Sequence, residues 1–315
     1  MQSLLLDFLK VTESAAVAAM PWVGRGDKNA ADGAATNAMR VNLKKMKMYS
    51  TIVIGEGEID EAPMLYIGEK LGIGGSHEVD IAVDPIEGTT PTVNGQGNAI
   101  TVIAAAPKGT LLHAPDMYME KLAVGPKAKG KIDLNASIEE NIIAVAKAQG
   151  KDVTELNVLI QDRPRHKEYI DRIREIGAKI QLFHEGDVIY ATATCIESLD
   201  VDMFFGIGGA PEGVLAAVAI RSQGGEMQAK LLPENEEEIK RCKDMGITNL
   251  ERVLTHEDLV STDDSVFVAT GITDNLIIDG IETQYNNYVT HSILISGRER
   301  QVRYVKSKYP IKDLK

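Results

Sequence analysis

A rhythm between residues 157 and 222 most constrains what this chain can fold into. Short apolar runs alternate with segments of helical spacing: strand 157–161, helix 164–176, strand 178–183, helix 187–196, strand 201–206 and helix 211–222. Strands that alternate with helices need sheets covered by helical layers, so the pattern assigns the α/β class and excludes all-α and all-β domains. Upstream, Leu5, Phe8, Leu9, Thr12, Ala15, Ala16 and Ala19 recur at helical spacing through residues 2–20. An Ala-rich helix is expected over 30–47, and a further helix from Pro63 to Leu71, closed by Gly72. Strands are expected at 51–55, 79–84, 98–106 and 118–124, with later ones at 265–270 and 291–305. Ser137 and Glu140 form a capping box that opens a helix to about Ala148. The rhythm changes after Gly130, which predicts one lobe over 1–130 and a second over 131–315, with no Pro/Ser/Gly-rich linker between them.

Charge narrows the partners. The 315 residues include 46 acidic and 34 basic side chains, a formal net charge of −12. An acidic chain is a poor match for a phosphate backbone, so no nucleic acid is expected to bind. A small anionic substrate stays compatible, because metal ions held by some of the carboxylates supply local positive charge. Cys195 and Cys242 lie far apart and form no CxxC pair, which points to a reducing, cytoplasmic setting. The apolar N-terminal stretch is broken by Asp7, Lys10 and Glu13 and has no basic leader, so it does not read as a signal peptide. No run of about 18 uninterrupted apolar residues occurs, so no membrane span is expected.

Four acidic turns sit at expected strand ends. In Asp84-Pro-Ile-Glu-Gly-Thr-Thr90, Pro85 is expected to turn the chain out of its strand, bringing the Asp84 and Glu87 carboxylates together. Gly88 permits close backbone approach, and Thr89 opens the next element with N–H groups for an anion. Two carboxylates this close repel unless a divalent cation lies between them; the alternative is a solvated strand-ending turn. Glu56, flanked by Gly55 and Gly57, reads as a ligand or as part of a flexible acidic turn. Asn29 is expected to cap the second helix and set Asp32 in its first turn, where it is a ligand or merely complements the helix dipole. Glu212 follows Gly208-Gly209-Ala-Pro211 at a helix start, with the same two readings. In a layered α/β fold such turns converge on one edge of the sheets, which makes four a stronger signal than one.

Two further turns suit a sugar phosphate. Arg163-Pro-Arg165 places two guanidinium groups after strand 157–161, for a phosphate or for solvent. Glu185-Gly-Asp187 follows strand 178–183, with carboxylates to accept from sugar hydroxyls or an Asp187 that caps a helix. There is no phosphate-binding GxxxxGK[ST] loop, no HExxH and no GxSxG elbow. His113 and His166 read as surface or supporting residues rather than metal ligands. With no protein nucleophile in view, metal-activated water is left as the agent of hydrolysis.

The longer motifs resemble a known family. Ile54-Gly-Glu-Gly-Glu-Ile-Asp-Glu-Ala-Pro-Met-Leu-Tyr-Ile-Gly-Glu69 and Asp80-Ile-Ala-Val-Asp-Pro-Ile-Glu-Gly-Thr89 closely resemble segments of the bacterial class II fructose-1,6-bisphosphatases. So do Gly24-Arg-Gly-Asp-Lys-Asn29, Ala114-Pro-Asp-Met-Tyr-Met-Glu-Lys121 and Gly206-Ile-Gly-Gly-Ala-Pro-Glu-Gly213, and the similarity runs over essentially the whole chain. That family belongs to the lithium-sensitive phosphatase superfamily. The resemblance implies a layered αβαβα fold with two sheets packed between helices and Mn²⁺- or Mg²⁺-dependent hydrolysis of the 1-phosphate of fructose 1,6-bisphosphate in gluconeogenesis. It implies a homo-oligomer, dimer or tetramer. By the same resemblance Asp32, Glu56, Asp84, Glu87 and Glu212 are the metal-binding carboxylates, and Thr89, with Asp32, is catalytic. Gly88 and Thr89 touch the scissile phosphate. Tyr118, Arg163, Arg165, Glu185, Gly186, Asp187 and Gly209 hold the rest of the bisphosphate. Glu185 stands where relatives carry Asp, and Arg163 where they carry Lys, which keeps the charge. Sedoheptulose 1,7-bisphosphate is an alternative substrate. Inositol monophosphatase activity is weighed against by the second basic locus at Arg163 and Arg165, and a non-catalytic sensor by the presence of every carboxylate and of Thr89.

Overall fold

A computed structural model describes residues 1–55 and 65–311, and the chain divides into two units: Met1–Thr110 with Asp264–Lys315, and Leu111–Asp263. The division differs from the change of lobe expected near residue 130. The second unit begins before the strand at 118–124, and the chain returns to the first unit at Asp264. Strand pairing is the reason: residues 266–271 run antiparallel beside 100–107 and complete the first sheet, a pairing between distant segments that no local pattern announces.

The first unit contains α1 (Leu5–Ala19), α2 (Lys28–Leu43), β1 (Tyr49–Ile54), β2 (Lys70–Leu71), β3 (Glu78–Glu87), α3 (Thr89–Asn94) and β4 (Ile100–Pro107). The second contains β5 (Tyr118–Val124), α4 (Ile138–Gln149), β6 (Asn157–Gln161), α5 (Lys167–Glu175), β7 (Lys179–Phe183), α6 (Asp187–Ala193), β8 (Met203–Gly209), α7 (Ala210–Ser222), β9 (Glu226–Leu231), α8 (Glu236–Asp244) and α9 (His256–Leu259). The chain then adds β10 (Val266–Gly271), β11 (Glu282–Gln284), β12 (Asn287–Ser296) and β13 (Gln301–Pro310) to the first unit. Both units pair a multi-stranded sheet with helices, as the α/β reading required. No helix among the described residues is long and apolar enough to cross a membrane.

The first unit's sheet has eight strands in the order β11-β12-β10-β4-β3-β1-β2, with β13 also on β12. Strands β1 and β3 are parallel, so their C-terminal ends share an edge. Leu5, Phe8, Leu9, Ala15, Ala16 and Ala19 of α1 join Ala31, Ala35 and Met39 of α2 in a core with β-strand residues such as Ile52, Ile81 and Ile103. That is the stripe the spacing in residues 2–20 predicted. Truncating a fully buried aromatic in such a core, Phe8 for example, costs about 3–5 kcal/mol. A polar seam crosses the same unit: Glu13 accepts from the Thr290 hydroxyl at 2.9 Å and from the Tyr309 hydroxyl at 2.6 Å, tying α1 to β12 and β13.

Two expectations differ from what the described residues show, residues 63–64 of the expected helix lying outside them. Residues 65–71 are not helical: Lys70–Leu71 is a short strand against β1, because pairing to a sheet overrides local helical spacing. Strand β3 does not end at Pro85. It continues to Glu87 through a register shift between Asp84 and Glu87, and such an irregularity tolerates a proline that cannot donate to the ladder.

The second unit's sheet has the order β7-β6-β8-β5-β9. Strands β6, β7 and β8 are parallel, while β5 is antiparallel to both β8 and β9. The C-terminal ends of β6, β7 and β8 therefore lie along one edge, together with the N-terminal end of β5. Its core includes Ile142 and Val145 of α4, Ile160 of β6, Ile173 of α5 and Phe205 of β8.

Candidate active site

In the first unit the site grows from the end of β3. Asp84 Oδ1 accepts from the Ile86 N–H at 2.9 Å, closing the turn that holds the strand irregularity. Glu87 is 5% exposed and lies opposite Ile100 of β4. Gly88 then takes a left-handed conformation, φ 91°, and a Cβ there would lie 2.7 Å from the Asn98 carbonyl oxygen, so both conformation and space require glycine. Thr89 starts α3. Its hydroxyl lies 2.9 Å from Asp32 Oδ1 and 3.1 Å from the Ile86 carbonyl, either of which accepts its proton.

Asp32 reaches Thr89 because the start of α2 is fastened to α3. The Gly24 and Gly26 N–H groups donate to the carbonyls of Thr92 and Val93, both at φ near 70° that only glycine adopts at low cost. The expected cap is corrected here. Asp27, not Asn29, caps α2, accepting from the Ala30 N–H at 3.0 Å, so Asp32 lies beyond the first turn. The dipole reading of Asp32 fails with that shift, since the helix end acts mainly on its first turn. Burial pushes the Asp32 carboxyl above its ordinary range, against the pull of the Thr89 hydrogen bond and the Lys28 charge. Lys28, not singled out from the sequence, donates from Nζ to Thr90 Oγ1 at 2.8 Å. Glu56 lies outside the described residues.

In the second unit the site residues gather where β6, β7 and β8 end. Tyr118 pairs with Gly209 across β5 and β8, which brings the start of β5 to the same edge. The Arg165 guanidinium lies 5.0 Å from the Tyr118 ring centroid, donates from Nε to the Ile207 carbonyl at 2.7 Å and from Nη2 to Gln161 Oε1 at 2.8 Å. These contacts fix its plane before any ligand arrives. Both Tyr118 and Arg165 line a cavity of about 730 Å³ with Lys230 and Leu232. His166 is buried rather than at the surface. The Ile207 N–H donates to its Nε2 at 2.8 Å, which leaves Nδ1–H to donate to the Gln161 carbonyl at 2.8 Å, so a neutral ring ties β6 to β8. Burial holds its pKa below the ordinary histidine value.

Arg163 pairs with Glu185 Oε1 at 3.4 Å, so the Glu185 carboxylate faces a guanidinium within its own edge. Gly186, φ 113°, is the N-cap of α6. Asp187 makes no capping bond; it is the first residue of α6, and its Oδ2 accepts from Lys121 Nζ at 2.6 Å. The capping alternative for Asp187 is thereby corrected. Lys121 escaped the sequence reading, although a lysine in the middle of the apolar run Tyr118–Val124 was the available signal. Glu212 is in the first turn of α7, as expected. Its Oε2 is buried and has no hydrogen-bond partner. Burial pushes its carboxyl up, opposed by the Lys121 charge.

Among the described residues no three His, Cys, Asp or Glu side chains gather into a ready cation cage. The donors still fit a hard divalent ion. The buried Glu212 oxygen lacks a donor that a cation would replace, and carboxylate oxygens are the ligands that Mg²⁺ and Mn²⁺ prefer.

Comparison with known proteins identifies the family. The family model described as "Bacterial fructose-1,6-bisphosphatase, glpX-encoded" matches residues 2–309. The chain is similar to the class 2 fructose-1,6-bisphosphatase of Haemophilus influenzae, 49% identical over 99% of this chain and 98% of that protein. It is similar also to fructose-1,6-bisphosphatase 1 class 2 of Escherichia coli K12, 48% identical over 97% of this chain and 95% of that protein. With a family match over nearly all of its residues and relatives at about half identity, the chain belongs to the glpX-encoded, class 2 family of bacterial fructose-1,6-bisphosphatases.

Proposed function

We propose that the chain hydrolyses fructose 1,6-bisphosphate at its 1-phosphate, releasing fructose 6-phosphate and inorganic phosphate, with Mg²⁺ or Mn²⁺ as cofactor. The observation that carries the reading is the Thr89 hydroxyl, 2.9 Å from Asp32 Oδ1 and beside the Asp84–Glu87 strand end. Asp32, Glu56, Asp84 and Glu87 are the first unit's carboxylates that would hold metal, and Glu212 is the second unit's candidate ligand. Bound divalent cations neutralise phosphate charge and make an attacking water more acidic.

The protein's own part is placement and proton handling. The Thr89 hydroxyl donates to Asp32, which leaves its oxygen lone pairs to accept from the attacking water. As that water bonds to phosphorus, its proton passes to the Thr89 oxygen and the Thr89 proton passes to Asp32. The 2.9 Å hydrogen bond between the Thr89 hydroxyl and Asp32 Oδ1 is the path for that transfer. The phosphorus bond to the sugar oxygen breaks, and that oxygen recovers a proton from water. Backbone N–H groups at Gly88 and Thr89 hold the scissile phosphate. In the second unit, Tyr118, Arg163 and Arg165 take the phosphate that is not cleaved, and Glu185, Gly186, Asp187 and Gly209 line the sugar. The reaction yields a monophosphate suited to hexose synthesis, hence gluconeogenesis.

The test is phosphate release from fructose 1,6-bisphosphate with Mg²⁺ or Mn²⁺ added, and again after exhaustive chelation. Release with either metal and none after chelation is expected. Unchanged turnover in chelator overturns the metal reading, and no release with either metal overturns the substrate reading.

A further inference from the structure

Lys121 lies in the middle of β5, and its side chain is 1% exposed. An ammonium taken that deep costs several kcal/mol of hydration unless it is paired and hydrogen-bonded. Nζ donates to Asp187 Oδ2 at 2.6 Å and to the Gly209 carbonyl at 3.0 Å. Asp187 is itself 9% exposed and begins α6, directly after the left-handed Gly186.

The glycines of Gly206–Gly213 are shaped around this pair. A Cβ on Gly208 would stand 2.2 Å from Asp187 Oδ2 and 3.0 Å from Lys121 Nζ. On Gly209 it would stand 1.9 Å from Glu212 Oε2, and on Gly213 2.6 Å from Met119 Sδ and 3.2 Å from Lys121 Cδ. None of the three has a positive φ, so space rather than backbone conformation excludes a side chain. Gly208 and Gly209 thus make room for one cation and two acids, and Gly213 for Met119 and the Lys121 stem. A strand-to-helix turn needs no such run for its own geometry.

We infer that Lys121 is a positioning residue for the sugar phosphate: it grips one oxygen of Asp187 so that the other is presented to a sugar hydroxyl, and Gly208 keeps that placement open. The inference rests on the proposed sugar contact of Asp187. Lys121 touches no substrate atom. Its ammonium offsets the charge of Asp187 and Glu212, which would otherwise repel each other in a poorly hydrated space.

Two independent disturbances test it. Lys121→Met removes the charge at similar length. Gly208→Ala keeps the Lys121 charge and displaces chiefly the Asp187 carboxylate, crowding Lys121 Nζ less, so it disturbs the placement even if the methionine variant does not fold. Each is expected to raise KM for fructose 1,6-bisphosphate about tenfold, the scale of one lost hydrogen bond, with kcat within about threefold. Fructose 6-phosphate affinity, measured by calorimetry on chelated enzyme, should weaken by the same factor. A folded Gly208→Ala with wild-type KM and wild-type fructose 6-phosphate affinity overturns the inference. So does a Lys121→Met/Asp187→Asn double variant with wild-type KM, because the pair would then serve the fold alone. If the wild type releases no phosphate from fructose 1,6-bisphosphate, the proposed activity fails while the Gly208→Ala comparison still stands on fructose 6-phosphate. If the wild type binds neither compound, the sugar contact and the inference fall together.

Discussion

Both units hold acids beside the ends of parallel strands, Asp84 in β3 with Asp32 reaching in from α2, and Glu185 and Asp187 after β7, and they treat the charge differently. In the first, Asp32 meets the Thr89 hydroxyl and Asp84 meets the N–H of its own turn, so these contacts come from neutral donors. In the second, Asp187 meets an ammonium, Glu185 a guanidinium, and Arg165 is fixed by a carbonyl, an amide and an aromatic ring. A neutral donor orients a carboxylate without pairing with its charge, as the Thr89 hydroxyl does for Asp32. Ion pairs cancel charge and fix geometry, which suits the binding of an uncharged sugar and a phosphate that does not react. On the proposed function, the difference divides the acids assigned to chemistry from those assigned to recognition, with Glu212 the exception in the second unit.

That separation predicts opposite kinetic signatures. Thr89→Val keeps shape and backbone N–H but removes the hydroxyl, and kcat should fall on the order of 10²-fold or more with little change in KM, while Thr89→Ser retains much of the activity. A valine variant as fast as wild type would remove Thr89 from the chemistry. Arg165→Ala should do the reverse, raising KM about 30-fold, from roughly 2 kcal/mol of charge-assisted hydrogen bonding, with kcat nearly unchanged. A fall in kcat with constant KM would erase the contrast between the units.

Stability provides a finer cut. His256 of α9 accepts from the Met227 N–H at 2.7 Å, and burial pulls its pKa down to about 4. The unfolded chain takes up that proton near pH 6.5 and the folded one does not, so folding free energy falls as pH drops from 6.5 towards 4. At pH 5 the loss is about 2 kcal/mol, and His256→Asn, which keeps an acceptor, should abolish that part of the dependence in urea titrations. An identical pH slope in the variant would place the acid-sensitive group elsewhere. The smallest effect is expected at Ser137, whose hydroxyl caps α4 and accepts from the Glu140 N–H. Ser137→Ala should lower stability by about 1 kcal/mol and leave kcat untouched, since it belongs to neither set of site residues. A change in kcat would link α4 to the site.

Much of this was legible in local pattern. Strands 118–124 and 157–161 have the bounds their apolar runs predict, and the Ser137–Glu140 capping box forms with both of its hydrogen bonds. The turns bearing Arg163, Arg165, Asp187 and Glu212 do follow strand ends. Expectations failed where a distant partner decided the outcome. Residues 70–71 became a strand because β1 was there to pair with, and Pro85 stayed within β3 because the register shift absorbed it. Asp27 displaced Asn29 as the cap, two eligible residues that composition alone does not rank.

The sequence by itself determined the α/β class, the places of the turns bearing Arg163, Arg165, Asp187 and Glu212, and, through its long motifs, the family. Each of these is written in neighbouring residues, whose spacing and conformational preferences act over a few positions. Only the tertiary structure decided that the chain returns to its first sheet at β10, that Asp187 serves Lys121 instead of a helix end, and that Gly208, Gly209 and Gly213 are there for space. Those outcomes depend on which side chains from distant segments fill the same volume. A buried charge has to find its counterion wherever the fold puts one, because the cost of leaving it unpaired exceeds what local preference can offset.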